Sequence, residues 1–284
     1  MRLFKSYKIM AKKIDKNEML LEAKGLYKIY TQTSGFFERK QRIIKALNNV
    51  SLSIKKGQTL AVVGESGSGK SSLARCLLQL QAIDQGELFF KGQNMTSLNK
   101  LDSKSLKRNI QMVFQDPYAS LNPRMKIEEI LEEGLVIHEL GNKKTRQVKV
   151  RDMIKKVGLS VADLNKYPHQ FSGGQRQRIG IARALIVEPQ LVICDEPVSA
   201  LDVSIQAQIL LLLKDLQKEF NLSYLFISHD LRVVRHMADE IIVMHQGKIV
   251  EQGPTKGIYE KPKANYTREL LNAIPGKHFN FKVS

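Results

Sequence analysis

The sequence has 284 residues, 43% hydrophobic and 26% charged, with a formal net charge of +17, which suits a globular chain burying one large core or two smaller ones. No apolar run approaches the roughly 20 residues that span a bilayer, and Cys76 and Cys194, each inside an apolar stretch, read as buried thiols in a reducing compartment rather than a disulfide or metal pair. The charge admits nucleic acid, an anionic membrane face or an acidic partner, but the basic residues are dispersed, with short clusters only at 143–146 and 261–263, so charge selects no ligand.

Residues 1–18 begin like a signal peptide, yet Lys12, Lys13 and Asp15 interrupt any apolar core, so they read as a basic N-terminal extension, with Met10 and Met19 as alternative starts. Residues 19–30 place Leu20, Leu21, Leu26 and Ile29 in a strand-like pattern, and residues 43–54 repeat it with Ile44, Leu47, Val50, Leu52 and Ile54. A loop over 33–40 with a basic end separates them, and together they predict an antiparallel β layer. Tyr30 closes the first run, either as an ordinary half-buried strand tyrosine or as a ring on which a base stacks.

Leu60, Ala61, Val62 and Val63 then lead into Gly64, Glu65, Ser66, Gly67, Ser68, Gly69, Lys70, Ser71 and Ser72. This run satisfies G-x-x-x-x-G-K-[ST], whose glycines let the backbone curl so that successive N–H groups point inward at phosphate oxygens. Lys70 brings a positive charge to the outer phosphates, the Ser71 hydroxyl is placed for a bridging Mg²⁺, and the start of the following helix adds its field. A nucleoside triphosphate is the expected ligand.

A helix to about Leu80 follows, then a turn at Asp84, Gln85 and Gly86, a strand over 87–91, and an apolar strand over 110–114 that ends in Gln115, Asp116 and Pro117. Residues 127–140 and 148–157 read as helices, and little between Pro117 and Tyr167 looks like sheet, which predicts a helical insert in an α/β domain. Ser172, Gly173 and Gly174 open the next helix, either as a second anion site or as a well-capped helix start. Residues 191–195 form a buried-strand pattern delivering Asp195 and Glu196, acidic groups suited to Mg²⁺ and an attacking water beyond a strand's carboxyl end. Val203–Phe220 carries an apolar helical face. A further buried strand over 224–227 brings His229 to the same expected edge as Glu196. Residues 241–244 and 248–251 read as a hairpin around Gln246 and Gly247, and the chain beyond Pro254 as a mixed, basic tail.

In this order the motifs resemble the ATP-binding-cassette ATPases over Met19 to about Pro275: the phosphate loop, the strand ending in Gln115, a helical insert, Ser172-Gly173-Gly174-Gln175, the strand ending in Asp195-Glu196, Ser199-Ala200-Leu201-Asp202, and the strand ending before His229. The stretches 114–124, 167–178 and 194–202, the loop at Gly35-Phe36-Phe37 and the tail at 266–270 further resemble the oligopeptide and dipeptide importer branch, nearest to its F-type ATP-binding subunit. The resemblance implies a P-loop NTPase (RecA-like) α/β core with an N-terminal antiparallel β subdomain and an inserted α-helical subdomain. It divides the chain into a basic extension (1–18), the ATPase domain (19–253, helical subdomain about 117–175) and a C-terminal extension of the peptide-importer type (254–284).

Carried over residue by residue, it makes Tyr30 the adenine-stacking residue, Gly64 to Ser72 the ATP phosphate site, and Ser71, Gln115 and Asp195 the groups around Mg²⁺. Glu196 would be the general base, His229 and Lys70 would contact the γ-phosphate, and Ser172, Gly173 and Gly174 would bind ATP held by the opposite subunit. The implied partners are a second ATPase subunit, identical or a sister chain, two transmembrane permease subunits and, indirectly, an extracytoplasmic solute-binding protein, at the cytoplasmic face of the membrane. Nickel, glutathione or antimicrobial peptides are alternative cargoes for the same machinery. A cassette ATPase acting on nucleic acid is the competing class, disfavoured because neither a second cassette nor a long coiled coil is seen, and no nucleic-acid partner is expected.

Overall fold

The computed structural model describes residues 18–33, 41–96 and 100–274; most of the N-terminal extension, the loop around Gly35-Phe36-Phe37 and the end of the tail lie outside them. Two long strands, β1 (Met19–Thr33) and β2 (Gln41–Lys55), pair antiparallel. They join β4 (Gln85–Phe90) and β5 (Gln93–Asn94) in a four-stranded sheet of order β2-β1-β4-β5. This is the antiparallel layer that the paired apolar runs predict.

The second sheet has six strands in the order β10-β9-β3-β8-β7-β6. Its strands are β3 (Thr59–Val63), β6 (Ile110–Val113), β7 (Leu191–Asp195), β8 (Ser223–Ile227), β9 (Glu240–His245) and β10 (Lys248–Pro254). All its pairings are parallel except that of β9 with the edge strand β10. The central strands read as unbroken apolar runs because both faces are covered. Ala61, Val63, Val192, Cys194, Tyr224, Phe226, Ile241 and Val243 enter one core with the helices, while Leu60, Val62, Leu191, Ile193, Leu225, Ile227, Ile242 and Met244 enter a second core shared with the antiparallel sheet. That alternation is the period-two geometry of a strand.

The helices are α1 (Lys70–Leu77), α2 (Lys100–Asn109), α3 (Ile127–Ile137), α4 (Lys143–Lys156), α5 (Gly173–Leu185), α6 (Val203–Phe220), α7 (Leu231–Met237), α8 (Thr255–Glu260) and α9 (Asn265–Asn272). Between β6 and α5 the chain is helical, with α3, α4 and two single-turn 3₁₀ segments. Several details depart from the sequence expectation. The helix after the phosphate loop stops at Leu77, α4 starts five residues earlier than expected, at Lys143 after the Asn142 cap, and α2, α7, α8 and α9 occupy stretches for which the sequence pattern predicts no helix. Gln85 and Gly86 belong to β4 instead of a turn: Gly86 has φ +104°, and a Cβ there would lie 2.5 Å from the Gly25 carbonyl oxygen. The glycine serves a close approach of two backbones, and its turn-like composition misleads.

Candidate active site

β3 runs fully buried into the glycine-rich loop, and two glycines are forced by what surrounds it. A Cβ on Gly64 (φ +150°) would lie 2.2 Å from the Met244 carbonyl oxygen, and one on Gly69 (φ +109°) 2.3 Å from that of Ala46. The loop is thus wedged between β9 and β2, and the Gly247 N–H fastens it by donating to the Ser68 carbonyl at 2.9 Å. Gly69 stands at the N-terminus of α1 and no side chain caps that helix, so its first N–H groups are left for an anion.

Lys70 is 6% exposed, and its ammonium donates to the Gly64 and Glu65 carbonyls at 2.7 and 2.8 Å. Burial pulls its pKa below the ordinary lysine value, opposed by the carboxylates of Glu196, Asp195 and Glu65. The Ser68 hydroxyl is buried without a hydrogen-bond partner among the described residues. A strained cradle, an uncapped helix start, a buried cation and an orphaned hydroxyl all fit a bound polyphosphate.

The opposite wall comes from neighbouring strand ends. The register aligns Val113 with Cys194 and Asp195 with Ile227, so β6, β7 and β8 end level and deliver Gln115, Asp195, Glu196 and His229 to one edge. Asp195 is 7% exposed, and its Oδ1 accepts a long hydrogen bond from the Ser71 hydroxyl at 3.5 Å. Burial raises its pKa above the usual carboxylate range, with the Ser71 hydrogen bond acting the other way. A hydroxyl and a carboxylate meeting beside a phosphate cradle are the oxygen donors that suit Mg²⁺.

Glu196 has φ +47°, a left-handed conformation rare for a residue with a side chain, and its N–H donates to the Ile227 carbonyl at 3.0 Å. Its Oε2 accepts from Gln115 Nε2 at 3.1 Å and lies 3.1 Å from His229 Nδ1. Two residues far apart in sequence, Gln115 and His229, therefore converge on one carboxylate oxygen of Glu196.

Tyr30 lies in the same groove as the cradle. This open groove, of about 1070 Å³, is lined by Tyr30, Gly67, Gly69, Ser71, Ser72 and His245 among others. The Tyr30 hydroxyl hydrogen-bonds the side-chain carbonyl of Gln81, and the Lys28 ammonium stands 5.6 Å from the ring centre. Gln81 carries no signal in the sequence, being one polar residue in a loop.

Ser172, Gly173 and Gly174 do not join this group. Ser172 caps α5, accepting from the Gln175 N–H at 3.3 Å while Gln175 Oε1 accepts from the Ser172 N–H at 3.0 Å, a reciprocal capping box. Gly174 is buried against Ile205, whose Cγ2 would lie 2.5 Å from an added Cβ. Among the described residues the turn has no hydrogen bond to the phosphate loop, and Ser172 is exposed. Two buried or half-buried arginines on α5 escaped functional notice. Arg176 donates to the Pro168 carbonyl at 2.7 Å and lies 3.8 Å over the Tyr118 ring, and Arg183 hydrogen-bonds the Ser120 carbonyl. Their spacing of seven on an apolar helix face is the signal that could have found them. Both tie α5 to the segment that follows Gln115.

The ABC transporter family profile matches residues 47–199. The chain is 52% identical, over 94% of its length and 81% of the relative's, to the dipeptide transport ATP-binding protein DppF of Haemophilus influenzae. It is 49% identical, over 91% and 79%, to the oligopeptide transport ATP-binding protein AppF of Bacillus subtilis. The fold is similar to the ATP-binding cassette MJ0796, solved as a dimer in a post-hydrolysis state bound to ADP and Pi, with a TM-score of 0.73, 30% identity, and coverage of 83% of this chain and 99% of that one.

Proposed function

The chain belongs to the ABC transporter family, and on that premise we propose that it is the ATP-hydrolysing, energy-coupling subunit of an importer for dipeptides or oligopeptides. The cargo is the one for which its relatives, dipeptide and oligopeptide transport ATP-binding proteins, are named. The ATP-hydrolysing role rests above all on the convergence of Gln115 and His229 on Glu196 Oε2, beside the Asp195–Ser71 contact at the mouth of the cradle.

In this reading Tyr30 stacks on the adenine, the loop from Gly64 to Ser72 surrounds the phosphates, and Lys70 leaves its two loop carbonyls for the β- and γ-oxygens. Ser71 and Asp195, with Gln115 beside them, hold Mg²⁺, which when bound neutralises charge on those oxygens. Glu196 takes a proton from a water aligned with the γ-phosphorus. The new O–P bond forms as the bond to the bridging oxygen breaks, releasing ADP and phosphate, while His229 holds a γ-oxygen. Gln115, in exchanging Glu196 for that water, links the event to the segment behind it.

Ser172, Gly173 and Gly174 reach the γ-phosphate of a second ATPase subunit, which is consistent with the exposure of Ser172 and the lack of any hydrogen bond, among the described residues, from this turn to its own cradle. Of the two membrane subunits, one docks on an apolar strip beside Gln115, where Leu80 (61%), Phe114 (40%) and Ile137 (56%) are exposed around a groove of about 330 Å³. Among the described residues no helix is long and apolar enough to cross a membrane, so the proposed attachment to its cytoplasmic face is through those partners. The partition into 1–18, 19–253 with its helical part, and 254–284 is kept as part of the same proposal.

The test is Glu196→Gln, which keeps the shape and hydrogen bonding of the site but removes the base. Turnover with the partner subunit present should fall at least about 100-fold while ATP affinity holds, and ATP should drive the variant into a long-lived dimer visible by light scattering. Wild-type turnover in that variant would remove Glu196 from the role and the hydrolytic reading with it.

A further inference from the structure

The phosphate loop has one contact that none of its motifs anticipates. The Glu65 N–H donates at 3.2 Å to the hydroxyl of Tyr266, a residue 201 positions away on α9. Tyr266 is not adventitiously near. Its ring packs on His245, with centroids 4.0 Å apart, and His245 ends the strand whose following turn supplies Gly247 to the Ser68 carbonyl. The helix that carries it is fixed at both ends: the Glu251 carboxylate accepts from the N–H groups of Lys263 and Ala264 at 2.8 and 3.0 Å, and Leu271 is buried in the main core.

The loop needs such a brace at this place. Beyond Gly64, the Glu65 peptide is held by its carbonyl, which accepts from Lys70 Nζ at 2.8 Å and from the Ser68 N–H at 3.2 Å. If Lys70 turns to a triphosphate, as the proposed function requires, both lysine contacts with the loop carbonyls are given up together. Among the described residues, what then remains on Glu65 is the Ser68 N–H on its carbonyl and the Tyr266 hydroxyl on its own N–H.

We infer that Tyr266 is a positioning residue for the phosphate loop, through which the C-terminal extension sets the affinity for ATP. The inference rests on the ATP-site reading above. Tyr266→Phe deletes one oxygen and leaves the ring on His245. In the full-length chain it should weaken binding of a fluorescent ATP analogue about three- to tenfold, the span of one ordinary hydrogen bond. The KM for ATP should rise with it, kcat at saturating ATP should stay within about twofold, and the Tm of the nucleotide-free chain, which loses the same hydrogen bond, should fall by only a few degrees.

Leu271→Val, which loosens α9 without touching the hydroxyl, is the comparison. It should lower Tm with little effect on affinity well below Tm. Unaltered affinity in Tyr266→Phe would overturn the inference, as would the two variants falling on one line of affinity against Tm. Failure of the wild-type chain to bind the analogue would instead sink the ATP site itself.

Discussion

Asp195 and Glu196 are adjacent carboxylates that the fold treats oppositely. Asp195 ends a buried strand and its proton is held to higher pH than in the unfolded chain, because burial disfavours its charge. A carboxyl raised in this way contributes stability below its unfolded pKa and loses it as pH climbs through the folded one. Ionising Asp195 in the nucleotide-free chain therefore costs stability. Asp195→Asn should raise the Tm of the nucleotide-free state, where Asp195 is ionised, by a few degrees and flatten its decline as pH rises above the ordinary carboxylate pKa, while weakening Mg²⁺-dependent ATP binding. A calorimetric pH series with and without Mg²⁺-ATP checks both halves, and a lowered Tm at pH 7 would contradict the first. Glu196, whose backbone is left-handed, instead shares its Oε2 between Gln115 and His229.

Helix α5 shows what an element contributes beyond its cap. The stiff β-branched side chain of Ile205 on α6 leaves no room for a methyl group on Gly174. Gly174→Ala should cost about 1–3 kcal/mol in denaturant unfolding, and the same change made in an Ile205→Ala background should be nearly neutral. Equal costs in both backgrounds would show that the glycine is kept for another reason. Elements of this kind were legible where a long pattern had one meaning. The eighteen residues of α6 repeat an apolar face, and the strands of the six-stranded sheet are apolar throughout because they are covered on two sides. Helix α2, Lys100–Asn109, has a mostly polar sequence and α7 and α8 have only seven and six residues, too few for periodicity to speak. The site was legible as an order of motifs; that Gln115 and His229 share one oxygen of Glu196, or that Tyr266 reaches Glu65, depends on strand register and helix docking that no local pattern encodes.

At the scale of the molecule, a +17 chain with its basic residues dispersed should hold duplex DNA only through screened, sequence-independent attraction. Retention measured by anisotropy should collapse by roughly a thousandfold or more between 50 and 200 mM salt and should leave ATP turnover with the partner subunit untouched. Tight binding that survived the higher salt and altered turnover would bring back a nucleic-acid role.

The placing of β3 at the middle of the parallel sheet has a consequence for how the protein is made. Its Thr59 pairs with Tyr224 and its Leu60 with Glu240, and the Glu65 brace arrives later still, on α9. At about 5–20 residues per second on the ribosome, the strand that launches the nucleotide loop waits many seconds with both edges bare, exposed to wrong pairing and in need of a chaperone's cover. Nascent chains arrested before Glu240 has emerged have no finished cradle to offer, so nucleotide cannot assist folding until β8 and β9 have been made.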